Sequence, residues 1–267
     1  MLKQRVITGV ILGLAVLLII FLASAQWVAW ITAAFVLLAA WEWTTLSGVQ
    51  SLYHRIGYLF ILAVLMWFIG YLPLMLVMLV ASVWWVLALY FVVIYPKHQD
   101  LWISPLRRLL IGGLVLLPFW LAMNALRSHP HGDWILLFCF VLVWAADIGA
   151  YFAGRRFGKT KLMPRVSPGK TWEGFLGGLL ASMLVASVVS AVIELGFHGW
   201  FSLLLFVVLL NIYAVVGDLL ESMLKRYCQV KDSGNILPGH GGILDRIDSL
   251  TAATPLFLLG LLGYLYY

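Results

Sequence analysis

The chain is short of charge. Only 10% of its 267 residues are Asp, Glu, Lys or Arg, against 64% that are apolar, and the mean hydropathy is +1.03. A water-soluble domain carries about 25% charged and about 45–50% apolar residues, so a soluble globule is excluded. Cysteine is nearly missing too. Cys139 and Cys228 lie far apart without ligand-like spacing, which argues against a disulfide framework and a cysteine-built zinc site. No long linker, low-complexity tract or convincing internal repeat interrupts the chain, and the alternation expected of a β-barrel is absent.

What the chain has is long apolar runs. A helix needs roughly 20 apolar residues to cross about 30 Å of hydrocarbon. Nine segments qualify: 6–25, 28–46, 56–72, 75–95, 109–126, 134–153, 174–194, 200–220 and 248–267. The expected fold is therefore all-α, a polytopic membrane helical bundle. Pro73 divides the third span from the fourth, because proline ends one helix and can begin the next. Nine spans put the termini on opposite sides. With the N-terminus cytoplasmic and the C-terminus outside, 16 of the 17 Lys and Arg residues fall inside and only Arg127 falls outside. An error of one span would scramble that pattern. Trp27, Trp30, Trp134, Trp200 and the tyrosines from Tyr264 onward fall near the outer boundaries, as interfacial anchors do. Residues 1–25 have the charged start, apolar run and Ala23-Ser24-Ala25 of a signal peptide, but Gly9 and Gly13 suit a retained packing helix, and retention is expected.

Polar residues are unevenly spread. Residues 1–130 read as transmembrane scaffold. Residues 131–267 read as a transmembrane catalytic region with loops 154–173 and 221–247, within one membrane domain. Charges at membrane depth are costly, so each is a functional candidate. Asp147 lies in the sixth span, Asp218 and Glu221 end the eighth, and Asp245 and Asp248 open the ninth. The i,i+3 spacing puts 218 with 221, and 245 with 248, on one helix face each. Carboxylates gathered at one end suit magnesium, a hard cation that takes oxygen ligands. The blander reading is ion pairing, with Arg246, Arg226 or Lys225 for most of them and with Arg155 or Arg156 for Asp147. Glu42 and Glu194, near span ends, read as solvated.

Two loops carry the rest. In the first, Ser167, Lys170 and Thr171 precede a helix and offer hydroxyls, a cation and free N–H groups to phosphate. A basic loop touching anionic lipid would have the same composition. In the second, Ser222, Lys225, Arg226, Lys231 and Asp232 lead into Pro238-Gly239-His240-Gly241-Gly242 and then Asp245-Arg246-Ile247-Asp248. Its glycines allow the backbone to approach a bulky polyphosphate.

This second loop resembles the phosphatidate cytidylyltransferase (CDP-diglyceride synthase) family. The family signature S-x-x-K-R-x4-K-D, followed by P-x-H-G-G-x-x-D-R-x-D, is met at Ser222, Lys225, Arg226, Lys231, Asp232, Pro238, His240, Gly241, Gly242, Asp245, Arg246 and Asp248 without departure. Ser167-Pro-Gly-Lys170-Thr171 and Ala146-Asp147-xxx-Tyr151 resemble it as well. The likeness is motif-specific over about residues 144–250, while residues 1–130 match only as apolar spans.

The resemblance implies CTP + phosphatidate → CDP-diacylglycerol + pyrophosphate, with Mg2+ required and room for a second cation. Asp218 and Asp245 are then expected on the metal, with Asp147 and Glu221 as further ligands. Lys225, Arg226, Lys231 and Arg246 hold phosphates. Ser167, Lys170, Thr171, Ser222, Asp232, His240, Gly241, Gly242 and Asp248 contact the substrates. The implied partners are CTP, phosphatidate and the bilayer, with no nucleic acid. Small-residue faces at Gly9/Gly13 and Gly174/Gly178 permit a homodimer, although packing within the chain is the plainer use. The implied place is a bacterial inner membrane with the site facing the cytoplasm. A transporter is disfavoured by the absent repeat, and a CDP-alcohol phosphotransferase by the absent D-G-x-x-A-R pattern.

Overall fold

The computed structural model describes residues 2–236 and 241–266. Among them are nine α-helices: α1 (Leu2–Leu22), α2 (Ala25–Leu46), α3 (Leu52–Ile69), α4 (Leu74–Ile94), α5 (Pro105–Ser128), α6 (Gly132–Phe157), α7 (Trp172–Val192), α8 (Phe197–Tyr227) and α9 (Leu244–Tyr266). Eight of them, α2 to α9, are long and apolar enough to cross a membrane, and α1 contributes a shorter apolar stretch over Gly9–Leu22. Every expected span coincides with a helix. The chain is an all-α polytopic membrane protein.

Local chemistry sets the helix starts. Ser24 and Ser104 accept the Trp27 and Arg107 N–H groups and cap α2 and α5, while Pro73 occupies the cap position of α4. The larger departures from expectation lie in the polar segments. Residues 221–227, expected as loop, continue α8, because Leu, Met, Glu, Lys and Arg are strong helix formers even where hydropathy drops. At 31 residues, α8 is about 46 Å long, well beyond the hydrocarbon thickness, so its last turns lift Asp218 to Arg226 toward the interface. The loop over 154–173 is not irregular either. It finishes α6 and then forms an antiparallel hairpin of β1 (Lys161–Met163) and β2 (Ser167–Thr171).

Helices α6 and α7 pack so closely that only small residues fit between them. A Cβ on Gly177 would lie 2.2 Å from the Ala153 Cβ, and one on Gly178 would lie 2.5 Å from the Ala146 carbonyl oxygen. Gly174 and Gly178 are therefore spent inside the chain. Among the described residues nothing lies within 4 Å of a Cβ built on Gly13. The core lies between α2, α4, α5, α8 and α9, around Trp43, Met78, Leu116, Leu220 and Met223, while Leu176, Leu180, Leu184 and Val188 of α7 face outward at a period of four.

Gly177→Val should force α6 from α7 and destabilise the protein by about 1–3 kcal/mol, as overpacking does. Gly13→Val should change stability by less than about 0.5 kcal/mol. Thermal melts of both detergent-solubilised variants beside the parent check this contrast.

Candidate active site

The start of α9 organises the site. A helix N-terminus leaves N–H groups without acceptors, and a side chain just before the helix normally supplies one. Gly241-Gly242-Ile243 has none to offer. Two carboxylates take the role, one from another helix and one from the first turn of α9 itself. Glu42 of α2 accepts the Ile243 N–H on Oε1 at 3.0 Å and the Leu244 N–H on Oε2 at 2.8 Å. Asp245 reaches back to accept the Gly242 N–H on Oδ2 at 2.8 Å. The Ser233 hydroxyl lies between them, 2.9 Å from Glu42 Oε2 and 3.0 Å from Asp245 Oδ2, and the Ser233 N–H also donates to Asp245 Oδ2 at 2.9 Å.

Glu42 was expected to be solvated, and it is buried at 2% exposure. Its position near a span end suggested access to water, whereas Ser233, Gly234 and residues 242–244 pack against it. The signal in the sequence was its isolation: Glu42 is the one charged residue in the whole of α2. The glycines around it follow. A Cβ on Gly234 would lie 2.4 Å from Glu42 Oε1, and one on Gly242 would lie 2.1 Å from Ser233 Oγ and 2.3 Å from Glu42 Oε2. Gly242 was expected to make room for substrate, yet protein atoms fill the space beside it. Gly241 has φ +79°, a left-handed conformation that suits glycine.

Lys225 extends the network. Its ammonium lies 2.6 Å from Asp245 Oδ1 and 3.1 Å from Glu221 Oε1, joining α8 to α9 where both are buried. Lys225 is the counter-charge of Glu221, which also lies near the Asp245 and Asp248 carboxylates. Glu221 and Asp248 also line a small cavity of about 10 Å³, room for roughly one water-sized group, with Trp43, Trp85 and Thr251.

A second ion pair lies alongside. Lys170, on β2, reaches Asp218 Oδ2 at 2.6 Å, and the Ser222 hydroxyl donates to Asp218 Oδ1 at 3.1 Å. Asp147 and Asp248 are within electrostatic range of both Lys170 and Asp218. Arg155, considered above as a partner of Asp147, donates instead to the Tyr151 hydroxyl. The hairpin is held at both ends. Arg226 donates to the Val166 carbonyl at 3.2 Å, and Thr171 caps α7 by accepting the Gly174 N–H at 3.1 Å.

The expected residues thus separate into three groups. Asp147, Lys170, Asp218, Glu221, Ser222, Lys225, Asp245 and Asp248 come together at one end of the bundle. Thr171 and Arg226 are engaged with the backbone, and Ser167 is half-buried on the hairpin. Lys231, Asp232 and Arg246 are exposed at the same end. His240 lies outside the described residues. Among the described residues no three acidic, histidine or cysteine side chains converge as a metal-binding group. Asp218 is paired with Lys170 and Asp245 with Lys225. The donor chemistry nevertheless suits a hard cation. The cluster offers carboxylate and hydroxyl oxygens, and at Asp218 and Asp245 a lysine ammonium already occupies the place of a cation.

A bundle of apolar helices that gathers carboxylates and lysines at one end defines a membrane protein with one charged, polar site. The sequence matches the family described as the Cytidylyltransferase family over residues 3–262, and the chain belongs to that family. Relatives named phosphatidate cytidylyltransferase include one from Pseudomonas aeruginosa, 46% identical over 259 residues, which cover 96% of each chain. Another, from Haemophilus influenzae, is 41% identical over 96% of this chain and 97% of its own. One from Bacillus subtilis is 47% identical over 133 residues, about half of each chain.

Lys225→Met would leave Glu221 and Asp245 buried without their shared counter-charge. The expected loss is about 3–5 kcal/mol, the cost of removing one partner from a buried ion pair. A thermal melt of the variant beside the parent measures it.

Proposed function

We propose that this chain transfers the cytidylyl group of CTP to phosphatidate, giving CDP-diacylglycerol and pyrophosphate, at the cytoplasmic face of a bacterial inner membrane. Near full-length similarity to relatives bearing the phosphatidate cytidylyltransferase name carries the reading. The clustering of Lys170, Lys225, Asp218 and Asp245 at one end of the bundle supports it. A phosphatidate oxygen forms a bond to the α-phosphorus of CTP. The bond from that phosphorus to the bridging oxygen breaks, and its electron pair leaves with pyrophosphate. A phosphate monoester is already ionised near neutral pH, so no strong general base is needed.

Both reactants are anions, so the residues act by positioning and by neutralising charge. Asp218 and Asp245 would hold Mg2+, with Asp147 and Glu221 nearby, and the ion would supply charge neutralisation for the phosphates. Lys170 and Lys225 sit on those carboxylates in this structure, and an ammonium displaced from a carboxylate is available to a phosphate. Lys231 and Arg246, exposed at the same end, would hold the triphosphate with Arg226. The basic hairpin strands and the outward lipid-facing helices would let a soluble nucleotide and a bilayer lipid meet at one depth. The positive-inside pattern supports the cytoplasmic face.

Purified protein given CTP, phosphatidate and Mg2+ should release pyrophosphate in a lipid-dependent way. Asp218→Asn should lower kcat/KM by about 100–1000-fold, on the scale of losing one electrostatic contact in a transition state. Asp218 is more than a quarter exposed, so this variant should still fold. Release with another lipid acceptor but not phosphatidate would redirect the assignment, and no release at all would overturn it.

A further inference from the structure

We propose that Glu42 is a positioning residue for the transfer reaction: from the scaffold half of the chain it holds Ser233 and the start of α9 and, through Ser233, the Asp245–Lys225 pair. The inference rests on the proposed function only for its kinetic readout; the geometry is independent of it.

Glu42 is a carboxylate on a helix with no other charge, and it is buried. Such a group survives at membrane depth only if its oxygens are satisfied. Both are, and every donor is distant in sequence: Ser233, Ile243 and Leu244, separated from Glu42 by 191, 201 and 202 residues. Ordinary helix capping needs no such reach. The unusual arrangement follows from the absence of any capping side chain in Gly241-Gly242-Ile243 and from the glycines at 234 and 242, whose missing side chains are the space Glu42 occupies.

Two consequences bear on chemistry. The three successive N–H groups of Gly242, Ile243 and Leu244 form a concavity suited to an anion, and the protein's own Asp245 and Glu42 fill it. Substrate phosphates must therefore be met by the cations around it. Second, the Ser233 hydroxyl contacts Glu42 and Asp245 together, so the position of Asp245, and of the lysine on its other oxygen, depends on Glu42. Glu42 is itself on a firm support. The Leu46 carbonyl at the end of α2 accepts from Arg108 of α5 at 2.7 Å and from Cys228, just after α8, at 3.0 Å, and the Trp43 indole donates to the Arg108 carbonyl at 2.7 Å.

Glu42→Gln is the decisive substitution. It keeps size and shape, but both Glu42 oxygens accept backbone N–H groups, so an amide must turn its NH2 toward one of them. The variant should accumulate in membranes and elute as the parent does. Its KM for CTP should rise about 10-fold and its kcat fall about 10-fold, on the scale of leaving a buried donor unpaired, with KM for phosphatidate unchanged. The double variant Glu42→Gln with Ser233→Ala should be no worse than the more damaging single change, since both act through one network. Hydrogen exchange at the Ile243 and Leu244 amides should quicken. A kcat/KM for CTP within about twofold of the parent would overturn the proposal. So would a loss that tracks only the amount of folded protein with both KM values unchanged, or strictly additive effects in the double variant. A parent with no transferase activity would overturn the proposed function instead; unaltered amide exchange would overturn the role of Glu42 whatever the activity.

Discussion

The Ile243 and Leu244 N–H groups at the start of α9 find their acceptor on another helix, and the site takes its shape from how that need is met. In water the solvent would satisfy them. At the edge of a bilayer, under a folded segment, an unmet donor costs about 1–3 kcal/mol, so an acceptor must be imported. Glu42 is that acceptor for Ile243 and Leu244, while Asp245 of α9 itself takes the Gly242 N–H. Importing it ties α2 to Ser233 and to the start of α9, and Asp245 brings Lys225 and Glu221 of α8 with it. The glycines of the second loop, the burial of Ser233 and the placement of the lysine are consequences of this arrangement.

Charge balance shapes the remainder. The described end of the bundle gathers Asp147, Asp218, Glu221, Asp245 and Asp248 against Lys170 and Lys225. Buried carboxylates need counter-charge, and lysine is a flexible way to supply it: its ammonium pairs with a carboxylate and can move to another anion on a long stem. Lys170 comes from a hairpin rather than a helix, so the pair with Asp218 links the β1–β2 segment to α8 across the mouth of the site. The Arg226 contact with the Val166 carbonyl holds the same hairpin at its turn. Two independent attachments explain how a short two-stranded element, marginal by itself, keeps a defined place.

Close packing complements these polar ties. Between α6 and α7 the backbones approach over Gly149, Ala153, Gly177 and Gly178, which places Asp147 of one helix near the hairpin leading into the other. Van der Waals contact between small residues substitutes there for a hydrophobic drive that lipid removes.

The helices and their number were legible in the sequence because the bilayer makes backbone satisfaction a local matter: an apolar run of sufficient length has little alternative to a helix. The gathering of charge in the second half, and the motif carrying the family, were legible for a related reason, since charged residues are rare enough here for each to stand out. Glu42 stood out by the same rule and was still read as solvated, because its burial depends on residues about two hundred positions away. Likewise, the ion pairs of Asp218 with Lys170 and of Asp245 with Lys225 form only once the hairpin and α8 are in place. The extra turns of α8 and the β1–β2 hairpin escaped hydropathy because charged helix formers and short strands leave no apolar run. Sequence by itself determined which segments cross the membrane and which residues are chemically equipped to act. Tertiary structure decided who pairs with whom, because hydrogen bonds and ion pairs at a few ångströms depend on side chains from distant segments meeting in space.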